Sequence, residues 1–226
     1  MDLTILYYTA NLVSESFAEN VRNHLLETTL NKIPIISISH KRIDFGENIC
    51  IEGLDPCIYN VYRQILVGAK YSKTKYIACC EDDSLYTPEH FEFRPQGEFA
   101  YNQNRWRVYP DKFLFKHRND VTAAGMWNCI VMTDLMIKTL SDRFEKYPVK
   151  GSQIHWGEPG RYERHLGLPP VRATKFSTEI PNVTFAHRGS LGGVRRVGPK
   201  DITQPELPYW GSAKNLWERM WNGKVG

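Results

Sequence analysis

The stretch YIACCEDDSLYTPEHF, residues 76–91, runs from small and apolar residues directly into three carboxylates. Its first five residues are typical of a buried strand, and Glu81, Asp82 and Asp83 follow without a break. Carboxylates this close raise one another's pKa, so the cluster is costly to bury without a positive partner. The pattern therefore predicts that a divalent cation binds at the end of this strand.

An acidic loop is the alternative interpretation of the same triplet. The residues that follow, Thr87, Pro88 and Glu89, are typical of a helix start, where the helix dipole favours acidic side chains. The position after a buried strand favours a site, because ligands of open α/β sheets bind beyond the carboxyl ends of the strands. Carboxylate oxygens suit Mg²⁺ or Mn²⁺, which bridge phosphate oxygens and take few protein ligands.

The elements around this stretch alternate between strand and helix. The sequence predicts strands at 3–10, 33–39 and 75–80, helices at 14–30 and 57–70, and a loop at 44–57. Ser14 or Ser16 is the predicted N-cap of the first helix. The β-α-β-α-β order, with near-continuous apolar strands, predicts a parallel α/β sheet.

The second half of the chain is less regular. Strands are predicted near 98–102, 105–109, 112–116, 126–132 and 183–187. A helix is predicted from Asp134 to Tyr147, with Thr133 as its N-cap. At the C-terminus, Trp217 and Trp221 are spaced by four residues, which predicts a helix that docks through these two rings.

Composition and charge bound the class of protein. The chain has 226 residues, of which 42% are hydrophobic, so it can build a core. Its formal net charge is +4, and positive charge is concentrated in two segments. Residues 94–118 carry six Lys and Arg against two acids, and residues 187–200 carry four against none.

Cysteine usage and the termini predict a compartment. The five cysteines have neither disulfide nor zinc-ligand spacing, which indicates reduced thiols and a cytoplasmic protein. The N-terminal MDLTILYYTA lacks the basic region typical of a signal peptide. No apolar run reaches the 18 residues typical of a membrane span, so we expect no transmembrane segment.

The order of elements and the run KYIACCEDD together resemble GT-A-type glycosyltransferases, particularly the family-2-like members with their D-x-D motif. The resemblance implies one domain over residues 1–226 with an α/β fold of GT-A type. Within it, residues 1–90 would form a Rossmann-like nucleotide-binding half, and residues 91–200 an acceptor half that completes a mixed sheet. Residues 201–226 would form a C-terminal helical extension. The implied reaction moves a sugar from a nucleotide-diphosphate donor, such as a UDP-sugar, to a hydroxyl group.

Matched by position, the resemblance implies that Asp83 and His187, the last residue of VTFAH, ligate Mn²⁺ or Mg²⁺. The predicted donor-binding residues are Thr9, Asn11, Arg63, Gln64, Glu81, Asp82 and Arg195. Thr9 and Asn11 rest on the resemblance alone, through YYTAN (7–11), which is similar to the loop that holds the nucleotide base. Glu stands at the first D-x-D position, and the second strand ends in Ser-His-Lys without an acid, which leaves uridine open as the base.

Three of these donor contacts have open alternatives. Arg63 and Gln64 lie on the helix before the triplet. Contact with the nucleotide-sugar donor and simple exposure on the helix surface are equally compatible with this position. Arg195 lies in RGSLGGVRR, whose backbone N–H groups and guanidinium groups suit a diphosphate. The alternative for this segment is a solvated basic loop.

The segment WGEPGRYERHLG (156–167) resembles the family's G-E-D segment, with Pro159 in the place of the second acid. The resemblance makes Glu158 the candidate general base of an inverting transfer and Glu163 the reserve. The alternatives are a surface acid at Glu158 and an arginine-paired acid at Glu163. If neither glutamate faced the acceptor, a retaining mechanism would be the better interpretation.

The basic segments raise the question of the acceptor. NQNRWRVYPDKFLFKHR (102–118) interleaves cations with aromatic rings, which suits nucleic acid, and a β-meander with outward basic residues is the alternative. The chain also resembles small viral glycosyltransferases that modify 5-hydroxymethylpyrimidines in DNA, which implies a DNA acceptor bound through 94–118 and 187–200 in the host cytoplasm. Two further hypotheses are a glycosyltransferase of surface glycan synthesis and a non-catalytic nucleic-acid-binding module.

Overall fold

The computed structural model describes residues 1–116, 125–149, 157–187, 198 and 201–222. Its strands are β1 (Leu3–Thr9), β2 (Ile35–Ser39), β3 (Glu47–Cys50), β4 (Tyr76–Glu81), β5 (Ser84–Leu85), β6 (Phe99–Asn102), β7 (Arg105–Val108), β8 (Phe113–Phe115), β9 (Cys129–Met132), β10 (Ala173–Phe176), β11 (Asn182–Phe185), β12 (Ile202–Gln204), β13 (Glu206–Leu207) and β14 (Gly211–Ser212). Its α-helices are α1 (Glu15–Thr28), α2 (Ile58–Tyr71), α3 (Thr133–Lys146) and α4 (Ala213–Asn222).

A seven-stranded mixed sheet forms the centre of the fold, in the order β10-β6-β9-β4-β1-β2-β3. Strand β1 pairs in parallel with both β2 and β4, and β2 pairs in parallel with β3. Strand β9 runs antiparallel to β4 and β6. The predicted parallel α/β arrangement of the first half is confirmed, and it places the carboxyl ends of β1, β2 and β4 along one edge.

A second, five-stranded sheet has the order β12-β8-β7-β11-β5. Strand β5 begins immediately after Asp83 and pairs antiparallel with β11, with Ser84 opposite Thr184. Strand β11 pairs on its other side with β7, in parallel. The acidic triplet therefore lies where the chain leaves the first sheet and enters the second.

Two hydrophobic clusters cover the central sheet. Alternate residues of β1 belong to different clusters, so the clusters lie on opposite faces of the sheet. One cluster joins the sheet to α1 and α4, and the other joins it to α2 and α3. Trp217 and Trp221 of α4 pack against the first cluster, as their spacing predicts. Within the described ranges, none of the helices combines the length and hydropathy that a membrane crossing requires.

Several predicted element boundaries are wrong for local reasons. The predicted loop 44–57 contains the edge strand β3, whose Asn48 Nδ2 donates to the hydroxyls of Ser37 and Ser39, each at 2.9 Å. This strand has four residues and is held by a side-chain amide, so it lacks the apolar run from which a strand could be predicted. The helix start predicted after Thr87 is a short 3-10 helix, and another, Met126–Asn128, precedes β9.

The N-caps of two helices can also be compared with those predicted from the sequence. Ser14 is the N-cap of α1, because its backbone is extended and its side chain accepts a hydrogen bond from Phe17 N at 3.4 Å. Thr133 is the first helical residue of α3 and not its N-cap, which is Met132. The Thr133 hydroxyl instead donates to the carbonyl oxygen of Thr74 at 2.8 Å and ties α3 to the start of β4.

Candidate functional site

Asp83 lies at the junction of the two sheets, with 6% of its surface exposed. Its Oδ1 accepts hydrogen bonds from the hydroxyls of Ser84 at 2.9 Å and Thr184 at 3.2 Å. Its Oδ2 lies 3.2 Å from His187 Nε2. The structure therefore brings together the two predicted metal ligands, although 104 positions separate them in the chain.

The pairing of β5 with β11 is what produces this contact. Phe185 N donates to the carbonyl oxygen of Asp83 at 2.8 Å, so the two chain segments run side by side. His187 follows two residues later, beyond the end of β11. Sequence reasoning did not identify Thr184. This residue lies opposite Ser84 in a strand pair, and no local sequence pattern predicts that pairing.

Asp82 is held by the end of β1. The hydroxyl of Thr9 donates a short hydrogen bond to Asp82 Oδ2, and Asn11 N donates to the same hydroxyl oxygen at 2.8 Å. Asn11 has a φ of 54°, a left-handed conformation in which Asn is enriched among non-glycine residues. Its Oδ1 accepts hydrogen bonds from the backbone N–H groups of His40 at 3.0 Å and Lys41 at 2.8 Å. Thr9 and Asn11 thus join the ends of β1, β2 and β4 into one edge.

Glu81 is fixed by two tyrosines that sequence reasoning did not identify. The hydroxyl of Tyr8 donates to Glu81 Oε1 at 2.9 Å. The hydroxyl oxygen of Tyr86 accepts a hydrogen bond from the backbone N–H of Glu81 at 3.2 Å. Both rings are buried, so Glu81 is oriented from inside the protein.

Glu81 and Asp82 have the raised pKa values that closely spaced, poorly solvated carboxylates produce. Burial, followed by the charge of Asp83, raises the pKa of Glu81 from 4.5 to about 8 and that of Asp82 from 3.8 to about 7. Burial lowers the pKa of His187, but the hydrogen bond to Asp83 and the charges of Asp83 and Asp82 outweigh it, so the net pKa is raised. The site therefore lacks enough positive charge from the described residues to keep every acid ionised.

Gln64 and Arg63 occupy different surroundings. Gln64 is buried, and its Nε2 donates to the carbonyl oxygens of Thr9 and Ile38, each at 2.9 Å. This geometry uses the amide nitrogen to hold the ends of β1 and β2, and the predicted contact of Gln64 with a donor stays a prediction. Arg63 is exposed on α2, and Arg195 lies outside the described residues, so their donor contacts stay predictions.

Glu163 is paired with an arginine in the interior of the protein. It is 2% exposed, its Oε1 accepts a hydrogen bond of 3.0 Å from Arg143 Nε, and its Oε2 accepts one of 2.7 Å from Gly160 N. Arg143 Nη1 also donates to the carbonyl oxygen of Gly157 at 2.7 Å. This is the contact that the arginine-paired alternative expects, and the role of Glu163 as reserve base stays a prediction.

Glu158 sits inside the turn that this ion pair holds. Arg143 binds the residue before it, and Glu163 binds the backbone two residues after it. Glu158 is half-buried, and its charge contributes to the raised pKa of Glu81 and of the buried Tyr62. Glu158 therefore lies near enough to Glu81 and Tyr62 for its charge to affect their pKa values.

A cleft of about 260 Å³ opens beside the triplet at the ends of β1 and β2. It is lined by Tyr7, Thr9, Asn11, Val13, Glu15, Ala18, Arg22, Lys41, Arg42 and Ile43. The Tyr7 hydroxyl is buried and has no hydrogen-bond partner of normal geometry among the described residues. Lys41 and Arg42 are exposed, whereas Glu15 is ion-paired with Arg22. Most of the polar groups that this cleft offers to a ligand are hydrogen-bond donors.

Within the first basic segment, β7 and β8 form an antiparallel pair in the second sheet, whereas β6 belongs to the central sheet, so the alternative β-meander holds only for β7 and β8. Arg94 pairs with Asp2 at 3.0 Å, and Lys116 pairs with Asp201 at 3.3 Å. The rings of Trp106 and Phe115 pack with their centroids 5.3 Å apart. These contacts occupy part of the charge and aromatic surface that a nucleic acid would need. Most of segment 187–200 lies outside the described residues.

No family model matches the chain, and no curated protein matches it. In its fold, the chain is similar to a glycosyltransferase involved in the glycosylation of the major capsid of PBCV-1, with a TM-score of 0.52 and 9% identity. That match covers 81% of this chain and 92% of the other. The chain therefore has the predicted α/β fold of GT-A type, and this likeness shows the fold alone.

Two further structures are similar at lower scores. S. aureus TarS in complex with UDP-GlcNAc matches with a TM-score of 0.47 and 8% identity, over 88% of this chain. The matched chain is TarS 1–349, and this chain covers 60% of it. A Drosophila β-1,4-galactosyltransferase 7 mutant, in complex with manganese, UDP-Gal and xylobiose, matches with a TM-score of 0.41 and 13% identity, over 77% of this chain and 65% of the other.

Proposed function

We propose that the protein is a metal-dependent glycosyltransferase that moves a sugar from a nucleotide-diphosphate donor to a hydroxyl group. The observation that carries this proposal is the triplet Glu81-Asp82-Asp83 at the carboxyl edge of a GT-A-type sheet, with His187 against its buried last member. Such a site gains a divalent cation and a diphosphate together, because the first supplies positive charge and the second completes its coordination.

The residues present fit a divalent cation. Asp83 Oδ2 and His187 Nε2 form a two-ligand set of oxygen and nitrogen. In the described ranges, no group of three or more His, Cys, Asp or Glu side chains is arranged to hold a metal. Mg²⁺ and Mn²⁺ need few protein ligands when phosphate oxygens and water complete the shell. Asp83 and His187 would hold the ion, which stabilises the negative charge of the leaving diphosphate when bound.

The cleft beside the triplet is the place we propose for the nucleoside of the donor. Thr9 lines the cleft and also binds Asp82, so a nucleoside diphosphate can extend from the cleft to the triplet. The exposed Lys41 and Arg42 can donate to carbonyl oxygens of a base or to ribose oxygens. We keep uridine as the proposed base on the resemblance, with its carbonyl oxygens as the atoms that these side chains recognise.

Glu158 is the general base that we propose for an inverting transfer. Its carboxylate takes the proton of the acceptor hydroxyl while that oxygen forms a bond to the anomeric carbon of the sugar. The bond from this carbon to the diphosphate oxygen breaks on the opposite side. The Arg143–Glu163 pair supports this role by fixing the turn on both sides of Glu158.

The acceptor divides the proposal into two candidates. The basic segments and the resemblance to DNA-modifying enzymes support a 5-hydroxymethylpyrimidine in DNA, which the enzyme would flip out of the duplex in a cytoplasmic setting. The ion pairs of Arg94 and Lys116 support a saccharide hydroxyl instead, because they neutralise part of the surface that DNA would contact.

The test is nucleotide release from a panel of nucleotide sugars with Mn²⁺. We expect release by the wild-type chain and loss of release in Asp83→Asn. Stimulation by 5-hydroxymethylated DNA, and not by unmodified DNA, supports the DNA acceptor, whereas stimulation by saccharides supports the second candidate. No release from any donor in the panel would contradict the glycosyltransferase proposal and favour a non-catalytic module.

A further inference from the structure

The last turn of α4 lies against the candidate metal site. The indole of Trp221 and the imidazole of His187 have their ring centroids 6.2 Å apart, with their planes at 64°. On the imidazole's other contact, Nε2 lies 3.2 Å from Asp83 Oδ2. The His187 ring therefore contacts both the carboxylate of Asp83 and an aromatic ring of the C-terminal helix.

Trp221 is itself held in a fixed place. Its ring stacks on Phe17 of α1, with centroids 4.1 Å apart and planes at 24°. Phe17 makes an edge contact with Phe185 of β11 at 5.1 Å. Asn20 Nδ2 donates to the carbonyl oxygen of Met220 at 2.9 Å, which fastens the last turn of α4 to α1. A rigid ring in this position restricts the rotamers of the imidazole beside it.

His187 needs such support because the backbone ladder ends before it. Strand β11 ends at Phe185, and Ala186 N donates to the carbonyl oxygen of Val108 at 2.9 Å. His187 is therefore one residue beyond this hydrogen bond. Its ring orientation then depends on side-chain contacts, which include those with Asp83 and Trp221. A bound cation would break or share the contact with Asp83 and would leave the contact with Trp221 in place.

We propose that Trp221 is a positioning residue that holds the His187 imidazole for metal binding, which makes α4 a part of the metal site. The inference rests on the proposed function in so far as Asp83 and His187 bind the cation. The indole acts through ring packing, since its N–H is buried without a hydrogen-bond partner among the described residues. Groups that orient metal ligands typically change metal affinity by about 10–100-fold when they are removed.

The test is the Mn²⁺ dissociation constant of the full chain, measured from the free-Mn²⁺ signal in electron paramagnetic resonance. We expect Trp221→Ala to weaken binding by about tenfold. Trp221→Phe keeps the stack on Phe17 and an aromatic edge toward His187, so its affinity should stay near the wild-type value. Circular dichroism and urea denaturation of each variant show whether it is folded.

Leu216→Ala is the matched control. Its side chain lies in the same helix and is buried in the first hydrophobic cluster, so its removal loosens the packing of α4 and keeps the ring beside His187. We expect Mn²⁺ affinity to survive Leu216→Ala and to fall in Trp221→Ala.

The outcomes separate this inference from the proposed function. Mn²⁺ binding by the wild-type chain that is unchanged in Trp221→Ala, or equally weakened in Leu216→Ala, overturns the positioning role alone. A wild-type chain that binds no Mn²⁺ overturns the metal site and the positioning role together. Loss in Trp221→Ala with recovery in Trp221→Phe supports the inference.

Discussion

The Arg143–Glu163 pair and the triplet Glu81-Asp82-Asp83 are two clusters of charged side chains, and their charges are balanced in opposite ways. The carboxylate of Glu163 is matched by a guanidinium and by a backbone N–H. The triplet places three carboxylates in succession, and among the described residues it meets the imidazole of His187. The pair is complete within the described residues, whereas the triplet, in the same part of the chain, is not.

The difference separates structural charge from functional charge. A buried ion pair that satisfies its own hydrogen bonds needs nothing from solution, and its removal leaves an uncompensated charge behind. The triplet instead shows raised pKa values at Glu81 and Asp82, which indicates that ionising all of its acids requires an added cation. A substitution should therefore damage stability at the first group and ligand binding at the second.

The largest effect on folding is expected for Glu163→Ala. The substitution leaves Arg143 buried without its partner, so the free energy of unfolding should fall by about 3–5 kcal/mol. Urea denaturation measures this change. The double variant Arg143→Met/Glu163→Leu removes both charges and should recover most of the loss. A Glu163→Ala variant that keeps its stability and loses only its activity would support Glu163 as the base and would contradict its structural role.

Asp83→Asn should have the opposite profile. The substitution keeps the shape and an oxygen acceptor for Thr184, and it relieves repulsion within the triplet, so stability without metal should not fall. Nucleotide release with Mn²⁺ should fall by about a hundredfold or more, because a metal ligand is lost. Undiminished release from the donor would contradict the assignment of Asp83 as a ligand.

The pH dependence of stability gives a third comparison. Glu81 and Asp82 have pKa values of about 8 and about 7 in the fold, above their ordinary values of 4.5 and 3.8. Between those limits the folded chain binds more protons than the unfolded chain, so its stability falls as pH rises from about 4 to about 8. His187, whose pKa is also raised, stabilises the fold below its ordinary pKa of 6.5 and loses this effect as pH rises further.

Mn²⁺ should reverse this trend, because it favours the ionised acids. We expect the increase in melting temperature on adding Mn²⁺ to be several-fold larger at pH 8 than at pH 5.5. Thermal denaturation with and without Mn²⁺ at the two pH values measures it. The increase should be absent in Asp83→Asn and kept in a folded Arg143→Met/Glu163→Leu variant. An equal increase at both pH values would contradict the link between cation and triplet.

The smallest effect is expected at the mouth of the cleft. Lys41→Gln and Arg42→Gln each remove an exposed cation, so the KM for the nucleotide sugar should rise by about two- to fivefold with kcat little changed. Lys32→Gln, an exposed cation ahead of the other end of β2, is the matched control and should leave KM unchanged. A fall in kcat without a change in KM would place these side chains elsewhere in the reaction.

The sequence predicts the elements whose signal is local. Strands β1, β2 and β4 are apolar runs buried along almost their whole length, and all three are predicted correctly. Strand β3 is a half-exposed polar segment, and β5 is two residues long, so neither has a pattern to detect. Their pairing is decided by tertiary contacts, which override local propensity.

The site shows the same limit. The triplet is visible in the sequence because its three acids are adjacent, and the resemblance adds His187, which lies 104 positions away from Asp83. No local sequence pattern predicts that Glu163 pairs with an arginine 20 positions earlier, or that Gln64 points inward and donates to two carbonyl groups. Residue type gives the chemistry that is available, and the fold decides which groups remain free to perform it.

The most direct test of the account is a calorimetric titration of Mn²⁺ into the wild-type chain in the presence of UDP, near pH 7.5. We expect saturable binding of one Mn²⁺ per chain, loss of binding in Asp83→Asn, and retention in Asp111→Asn, where the acid is exposed and pairs with its neighbour Lys112. Absence of saturable binding, or equal binding in Asp83→Asn, would contradict the claim that a divalent cation completes the charge of the triplet.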